Sequence, residues 1–362
     1  MAQPKSDNSF LAKSKFKWDD IEPVQQYDGD ATILNFKYTP DYQELMDYFR
    51  AIVQKQEISE RAYEIAGFVI EVLCSNYNAW YIRKQCLEKL TDKLSYENEK
   101  EFIDELIEQN EKVFQIWDHR KYVIEKLNDC SGEIDFLEDV FYQDNKNYHA
   151  WSYRIWLCEQ FNLYKDEWDL IQKYFKEDIR NNSAYNYRYF LFQYYFYKEN
   201  EKNIDQELEF AFQMIQEDPE NESSWNYLQG FFQKYEFKSL QQYQNDAQKN
   251  EISTKNNSIF HKPISNHKFS DFPQVKKFAL KLLEENQENR FLLNLLINIY
   301  LLENENILTA LQHLNLLATK ADKIRVNYWN WFTQNVEKDF QSQINKEKQT
   351  QTQKTEETKQ QQ

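Results

Sequence analysis

The sequence contains little glycine and proline. Its 362 residues include four glycines and six prolines, and no proline lies between Pro40 and Pro219. β-Strands joined by tight turns are punctuated by these two residue types, whereas long helices exclude both. The scarcity argues against a sheet architecture and predicts an all-α fold. Aromatic residues are abundant at 17%, so we expect a core built of large rings.

The sequence also lacks closely spaced cysteine pairs, long apolar runs and a basic net charge. The four cysteines form no CxxC pair, and we interpret them as reduced thiols packed among helices. No apolar run approaches a membrane span, and residues 1–17 lack the apolar stretch of a secretory signal. Nucleic acid and anionic membranes select basic surfaces, whereas the net charge is −16. The sequence predicts a cytoplasmic protein without nucleic acid or stable membrane insertion.

The chain instead repeats one pattern, an aromatic residue followed three residues later by Arg. The aromatic positions are Trp80, Trp117, Trp151, Tyr185 and Trp225. The arginines of the first four copies are Arg83, Arg120, Arg154 and Arg188, and Leu228 stands in the fifth. The aromatic positions are 37, 34, 34 and 40 residues apart. A period in this range indicates stacked helix pairs, so we predict a helical-repeat solenoid.

Composition divides the chain into four parts. Residues 1–15 are predicted to be a loose leader, and residues 16–40 an extended segment on the surface. The solenoid is predicted over residues 41–342, with a polar insertion at about 241–272 that matches the repeats poorly. Residues 343–362 hold no apolar residue after Ile344. Because nothing there can bury apolar area to offset the entropy of ordering, we predict a disordered tail.

Trp and Arg three residues apart share one helix face, and we assign both to architecture. The indole would fill the space between helix pairs, and the guanidinium would lie over a ring or bond carbonyls of the neighbouring unit. The candidate functional residues precede each Trp, where a helix begins and its N–H groups favour anions. A single Lys or His there is usually solvated, packed or capping. Because polar donor side chains recur at the helix starts of successive repeats, they indicate a surface that binds phosphate or carboxylate.

The Asn-Tyr-x-x-Trp-x-x-Arg repeats resemble those of protein prenyltransferase α subunits, most closely the type shared by farnesyltransferase and geranylgeranyltransferase type I. Outside the repeats, the segments that resemble the same subunits are residues 18–24, 28–29, 47–51, 59–62, 324–325 and 328–329, and the similarity covers about residues 16–340. The resemblance implies a right-handed α-α superhelix of the prenyltransferase α-subunit type. It also implies transfer of a farnesyl or geranylgeranyl group from its diphosphate to a cysteine thiol of CaaX-ending proteins.

The resemblance assigns roles to single residues. Lys112 is implied to hold the isoprenoid diphosphate and, with Tyr148, to act in catalysis. Gln115 is implied to contact the C-terminal carboxylate of the protein substrate, and Tyr77 to line the pocket for its last residue. The residues implied to approach the diphosphate from the third repeat are Asn147, Tyr148 and His149. This chain departs from the family in the second repeat, where Val113 and Phe114 replace Asn and Tyr.

The implied reaction needs a partner subunit. Zinc is the usual way to hold a thiolate at neutral pH, and the chain shows no Cys/His/Asp group with ligand spacing. The resemblance places zinc and the lipid-binding barrel in a β subunit, an obligate partner, and magnesium can accompany the diphosphate. Two alternatives stay open. One is the α subunit of Rab geranylgeranyltransferase, against which the N-terminal segment argues. The other is a noncatalytic scaffold of tetratricopeptide type, which should show Gly and Ala at fixed positions.

Overall fold

The computed structural model describes residues 9–29, 36–196, 203–234 and 267–360. Within these ranges the chain is helical and has no β-strand, apart from one isolated parallel bridge between Phe232 and His267. The predicted all-α class is therefore confirmed. The helices fall into two compact units, Met1–Leu163 and Tyr164–Gln362.

In the first unit, consecutive helices pack in pairs. The described helices are α1 (Phe10–Lys13), α2 (Pro40–Lys55), α3 (Glu60–Val72), α4 (Tyr77–Lys89), α5 (Tyr96–Asn110), α6 (Phe114–Leu127), α7 (Glu133–Gln143) and α8 (Tyr148–Phe161). Helix α3 packs on α4, α5 on α6 and α7 on α8, and the second helices of successive pairs, α4, α6 and α8, also pack on one another in sequence. This is the arrangement of stacked helix hairpins.

The second unit continues the same pairing. The described helices are α9 (Tyr164–Glu177), α10 (Asn182–Leu191), α11 (Ile204–Glu217), α12 (Glu222–Gln229), α13 (Pro273–Glu285), α14 (Arg290–Glu303), α15 (Ile307–Leu316), α16 (Val326–Asp339) and α17 (Gln341–Gln360). Single π turns follow α10 and α15, at Phe192–Phe196 and Leu317–Ala321. Short 3-10 turns precede α13 and α16, at Phe269–Asp271 and Lys323–Arg325.

Asparagine and serine side chains fix where most helices begin. The N-cap side chains that accept backbone N–H groups include Ser59, Asn76, Ser95, Asn147, Asn181, Asn221 and Asn289. Such caps satisfy donors that a helix cannot pair internally, at about 1 kcal/mol each. Three helices end at asparagines in the left-handed region, with φ of 51° at Asn128, 57° at Asn162 and 55° at Asn304. Asparagine tolerates this backbone shape, so the chain can turn with few glycines.

The leader departs from the prediction where the structure describes it. Residues 1–8 lie outside the described ranges, but Phe10–Lys13 forms α1 and Phe10 is buried. The Phe10 ring meets Trp18 and Tyr48 edge-on, with centroids 5.4 and 5.3 Å away. The segment after it is non-helical as far as it is described, yet Trp18 and Ile21 are buried. Residues 9–21 are therefore held to the core by aromatic packing, and are neither loose nor confined to the surface.

The prediction of a disordered tail is wrong at its start. Helix α17 runs through Gln341–Gln360, and Ile344 is only 4% exposed. The Glu347 carboxylate accepts hydrogen bonds from the backbone N–H groups of Ile307 and Leu308, at 3.1 and 3.0 Å. These N–H groups begin α15, whose N-cap Asn306 makes no side-chain cap bond. One apolar anchor and one carboxylate at a helix start hold the first turns of α17 in place.

The predicted insertion at 241–272 lies outside the described residues as far as 266. Its last residues belong to the fold, because Phe269 is buried and its ring stacks on Phe232 at 4.4 Å.

Candidate functional site

The indole of each repeated Trp is hydrogen-bonded to the loop that precedes its helix. The indole N–H donates to the carbonyl six residues earlier, from Trp80 to Cys74, Trp117 to Glu111, Trp151 to Asn145 and Trp225 to Pro219, at 2.7 to 2.9 Å. All four indoles are buried. In the fourth repeat Tyr185 replaces Trp, and its hydroxyl accepts from the Asn221 side chain at 3.4 Å. In the four Trp repeats the indole therefore fixes the shape of the loop before its helix, and we call this loop, together with the first residues of the helix, the lead.

The repeated arginines join successive helix pairs through buried glutamates. Three ion pairs link one repeat to the next: Arg83–Glu99 at 2.7 Å, Arg120–Glu133 at 2.8 Å and Arg188–Glu207 at 2.8 Å. The same guanidinium groups lie 3.6 to 3.8 Å from the ring centroids of Phe102, Phe136 and Phe210. Arg154 pairs with Glu138 at 2.8 Å. Ring stacking and a charge partner together desolvate each arginine without leaving its charge unpaired.

A second side chain reaches Glu99, Glu133 and Glu207 from the helix that carries the next aromatic residue. His119 meets Glu99 at 2.7 Å and Tyr153 donates to Glu133 at 2.6 Å, and Tyr187 donates likewise to Glu167, the corresponding glutamate of the fourth repeat, at 2.6 Å. Tyr227 donates to Glu207 in the same way. Burial alone raises the pKa of the Glu99 carboxyl, but the Arg83 guanidinium and the His119 hydrogen bond outweigh it and lower that pKa to about 2. Glu99 is therefore ionised at neutral pH.

Sequence reasoning missed these glutamates, although a signal was present. Glu99, Glu133, Glu167 and Glu207 each lie 18 residues before the aromatic residue of their repeat. Each also falls in the first helix of its pair, close to that helix's start. An acidic residue at constant spacing from a Trp–Arg pattern could have been read as the partner of the arginine.

The Asn147 side chain caps α8 and bonds the preceding repeat. Its oxygen caps α8 by accepting from the N–H groups of His149 and Ala150, both at 3.0 Å. Its amide nitrogen donates to the Glu111 carbonyl of the preceding repeat at 3.3 Å, and the residue is 3% exposed. Asn147 therefore shapes the lead of α8, and both polar atoms of its side chain are hydrogen-bonded within the chain.

The second lead lacks this asparagine. Val113 stands at the N-cap of α6 and provides no side-chain cap. Gln115, two residues later and 9% exposed, donates instead to the Ser75 carbonyl of the preceding repeat at 3.3 Å. A side-chain amide has two N–H donors, and this bond uses one of them.

Several predicted residues do face the surface at neighbouring helix starts of the first unit. Tyr77, Phe114 and Tyr148 are the first residues of α4, α6 and α8, and their exposed fractions are 67%, 49% and 74%. The Tyr77 and Phe114 rings lie 6.0 Å apart. His149 is half-buried beside the Tyr148 ring, at 5.5 Å. We call these exposed residues, together with Lys112, the lead surface.

Lys112 is the cation of this surface. Its side chain is 74% exposed, and its ammonium lies 3.8 Å from the carboxylates of both Glu111 and Asp144. At that distance and exposure neither pair is strong, so the ammonium can turn toward an arriving anion. The start of α6, whose N-cap Val113 makes no side-chain bond, adds the positive end of a helix dipole. The lead surface can therefore bind an anion next to aromatic rings.

No group of three or more His, Cys, Asp or Glu side chains in the described ranges is placed to hold a metal ion. No helix among the described residues is both long and apolar enough to cross a bilayer.

Comparison with known proteins relates the repeats to one family. The family described as "Protein prenyltransferase alpha subunit repeat" matches residues 96–127, 130–161, 164–195 and 204–235. Each match spans one helix pair or most of one. The repeat that contains Trp80 lies before the first match, although it shares the Asn cap, the indole bond and the buried arginine of the later repeats.

Curated relatives carry one name across distant organisms, protein farnesyltransferase/geranylgeranyltransferase type-1 subunit alpha. The Schizosaccharomyces pombe protein is 36% identical over 104 residues, which is 29% of this chain and 35% of that protein. The Candida albicans protein is 31% identical over 121 residues, 33% of this chain and 39% of that protein. The aligned part thus spans between a quarter and two fifths of the length of the curated relatives it matches.

A solved structure matches over nearly the whole chain. It is described as Candida albicans protein geranylgeranyltransferase-I complexed with GGPP. The match has a TM-score of 0.69 and 29% sequence identity, and it covers 89% of this chain and 99% of that chain.

Proposed function

Because the chain belongs to the protein prenyltransferase alpha-subunit repeat family, we propose that it is the α subunit of a heterodimeric CaaX protein prenyltransferase. The enzyme would transfer a farnesyl or geranylgeranyl group from its diphosphate to a cysteine thiol near the C-terminus of protein substrates. The α chain would be active only with a β subunit, in the cytoplasm.

The observation that carries this proposal is the lead surface. One exposed ammonium, Lys112, stands at the start of α6 between two helix starts that present aromatic rings. An isoprenoid diphosphate combines an anionic head with an apolar chain. The ammonium suits the diphosphate head, and the aromatic rings suit the first carbons of the chain. The structural relative is a geranylgeranyltransferase-I complexed with GGPP, which supports the same ligand class here.

Lys112 would assist the chemical step. When the thiol attacks the first isoprenoid carbon, the carbon–oxygen bond to diphosphate breaks and negative charge grows on the leaving group. A positioned ammonium stabilises that charge more in the transition state than in the bound substrate. The Tyr148 hydroxyl and the half-buried His149 are the further donors of the neighbouring lead. Asn147 would contribute indirectly, by fixing the start of α8.

The protein substrate would meet the first and second leads. Gln115 would offer its second N–H to the substrate carboxylate while the first holds the Ser75 carbonyl. Tyr77 and Phe114 would form an apolar wall for the last substrate residue, since their rings are exposed and 6.0 Å apart. Phe114 carries no hydroxyl, so this wall is more apolar than one with Tyr in its place.

Zinc belongs to the β subunit in this proposal and would hold the substrate cysteine as a thiolate. Magnesium would accompany the diphosphate. We expect the isolated α chain to bind no stoichiometric zinc and to be inactive until it pairs with the β subunit. Zinc content and prenyl transfer, measured on the isolated chain, test this directly.

The α subunit of Rab geranylgeranyltransferase is the second candidate within the family. The curated relatives are named as type-1 subunits, which favours the first candidate. Transfer to a short CaaX peptide without an escort protein would support the CaaX enzyme, and a strict escort requirement would support the Rab enzyme.

The decisive variant is Lys112→Ala in the heterodimer. We expect the single-turnover rate of prenyl transfer to fall by roughly 10²- to 10³-fold, as when one preorganised donor is lost. Assembly should not change, because the exposed side chain packs little. Lys93→Ala is the matched control, an exposed lysine of the same unit that pairs with Glu60 at 3.0 Å. Equal rates for the wild type and Lys112→Ala would remove the catalytic role.

Gln115→Ala separates substrate binding from chemistry. It should raise the KM for the protein substrate while leaving the rate at saturating substrate largely intact. It should also cost some stability, because the bond to Ser75 is lost, so thermal unfolding must be measured alongside.

A further inference from the structure

An aspartate three residues before the N-cap shapes the third and fifth leads in the same way. Oδ1 of Asp144 accepts the backbone N–H of Lys146 at 3.1 Å, and Oδ1 of Asp218 accepts that of Glu220 at 3.2 Å. The carbonyl oxygen of each aspartate also accepts the backbone N–H of its N-cap residue, at 3.1 Å. A turn of this kind, closed by the aspartate side chain, fixes where its carboxylate lies.

Each of these aspartates faces a cation of the preceding repeat. Lys112 and Arg180 stand at equivalent positions, directly before the N-caps of α6 and α10. The Arg180 guanidinium bonds both oxygens of Asp218, at 2.6 and 3.0 Å. The Lys112 ammonium stays 3.8 Å from Oδ2 of Asp144, the oxygen that the turn does not use. The repeat therefore brings a cation to a carboxylate in both places, but the arginine pair is close and the lysine pair is loose.

The chemistry of the two cations explains the difference. A guanidinium is a planar fork that matches both oxygens of a carboxylate, whereas an ammonium is a point charge on a flexible stem. The Lys112 side chain is also 74% exposed, and an ion pair so open to water is weak. A diphosphate carries more negative charge than one carboxylate, so it can take the ammonium from Asp144. The two anions repel each other at this distance, so each weakens the hold of the other on Lys112.

We propose that Asp144 is a positioning residue, which holds the Lys112 ammonium before the diphosphate arrives and competes for it afterwards. The proposal rests on the proposed function, which assigns the diphosphate to Lys112. Asp144 would keep the diphosphate product dissociable, because the carboxylate reclaims the ammonium as the product leaves. It would also make lysine necessary at position 112, since an arginine there would pair with Asp144 as Arg180 does with Asp218.

The first test measures ligand binding by the heterodimer with Asp144→Asn. Asparagine forms the same turn, so this variant removes the charge and leaves the lead in shape. The ligands are inorganic diphosphate and whichever of farnesyl or geranylgeranyl diphosphate the wild type transfers, followed by equilibrium dialysis. We expect both to bind about 5-fold more tightly at low salt, the factor of one exposed ion pair. The gain should shrink as salt screens the charges.

Glu60→Gln is the matched control for this experiment. Glu60 is an exposed carboxylate of the same unit and pairs with Lys93 at 3.0 Å. Lys93 lies beyond the end of α4, whereas the lead surface lies at the start of that helix. Because the control loses a similar ion pair away from the lead surface, it should bind both ligands with wild-type affinity.

Lys112→Arg is the sharper test, because it keeps the positive charge. A two-bond pair with Asp144 should withdraw the guanidinium from the diphosphate, so ligand affinity and the single-turnover rate should both fall by about 5-fold or more. Adding Asp144→Asn should return both most of the way to the wild type. If Asp144 served the fold alone, the effects of the two substitutions would simply add.

The outcomes separate this proposal from the proposed function. Unchanged affinity in Asp144→Asn, or weaker binding that salt does not alter, would overturn the role of Asp144. So would a Lys112→Arg variant that matches the wild type. In each case the proposed function would stand on prenyl transfer by the wild-type heterodimer. A wild-type chain that forms no complex with a β subunit and supports no transfer would overturn the proposed function itself.

Discussion

Removal of residues 343–362 is expected to destabilise the protein, whereas removal of residues 350–362 is not. The shorter deletion takes away no buried side chain among the described residues, since positions 350–353 are all exposed. The longer one removes Ile344, which is 4% exposed, and Glu347, whose carboxylate accepts from the N–H groups of Ile307 and Leu308. The two deletions thus differ by one apolar anchor and one helix cap.

The magnitude follows from these two contacts. Burying an isoleucine side chain contributes about 1.5–3 kcal/mol, and a carboxylate at a helix N-terminus about 0.5–2 kcal/mol. Ordering the first turns of α17 costs part of this gain. The free energy of unfolding should therefore fall by about 2–3 kcal/mol in the longer deletion. Ile344→Ala and Glu347→Ala should each give a part of that loss.

Urea unfolding of the full-length chain and both deletions, followed by circular dichroism, measures the difference. The m-value must be compared as well, because a change in m would show altered cooperativity rather than a loss of contacts. Equal midpoints for the full-length chain and the longer deletion would refute the docking of α17. A loss of stability in the shorter deletion would mean that residues beyond 349 also pack.

Two further predictions concern the buried arginines. The pKa of Glu99 is lowered from 4.5 to about 2, so its contribution, roughly 3 kcal/mol, is present above pH 4.5 and lost as the pH falls towards 2. Glu99→Gln should abolish that part of the acid destabilisation in urea titrations at several pH values; an unchanged pH profile would contradict the ion pair with Arg83. Arg188 has a buried nitrogen, Nη1, without a partner in the described structure, and Gln172 stands 16 residues before it, where the two preceding repeats have Asp104 and Glu138 as partners. Gln172→Glu should raise the unfolding free energy by about 1 kcal/mol, and a lower thermal midpoint would show that the carboxylate does not reach the arginine.

The helical class and the repeat could be predicted because both leave local signals in the sequence. Scarce glycine and proline, together with Trp–Arg spacing, act through backbone propensity and one helix face. The Trp–Arg spacing does not identify the partners of the arginines; the signal for them is a second spacing, the 18 residues from each glutamate to the aromatic residue of its own repeat. Glu99 and Glu133 belong to the following helix pair, and only the stacking of pairs brings them to Arg83 and Arg120.

At the two ends of the chain, composition does not predict the contacts that single residues make. Compositional arguments treat a segment as a whole, whereas Phe10, Ile344 and Glu347 act singly. Each fits a site that the rest of the fold provides. Phe10 packs against the rings of Trp18 and Tyr48, Ile344 makes an apolar contact, and Glu347 caps the helix start at Ile307, which has no side-chain cap of its own. No property of the terminal segments alone reveals that such places exist.

In the second lead one residue, Gln115, serves both the packing of the repeats and the proposed function. The family's asparagine would cap α6 and bond the preceding repeat, as Asn147 does for α8. With Val113 in its place, Gln115 makes the bond to the preceding repeat through Ser75. The residue proposed to recognise the substrate carboxylate is thus also the residue that positions its own helix. Val113→Asn should restore a cap and a second link, so it should stabilise the chain by about 1 kcal/mol and reduce the stability cost of Gln115→Ala. A double-mutant cycle on unfolding free energies measures this coupling, and strict additivity would show that Gln115 holds α6 independently of the cap.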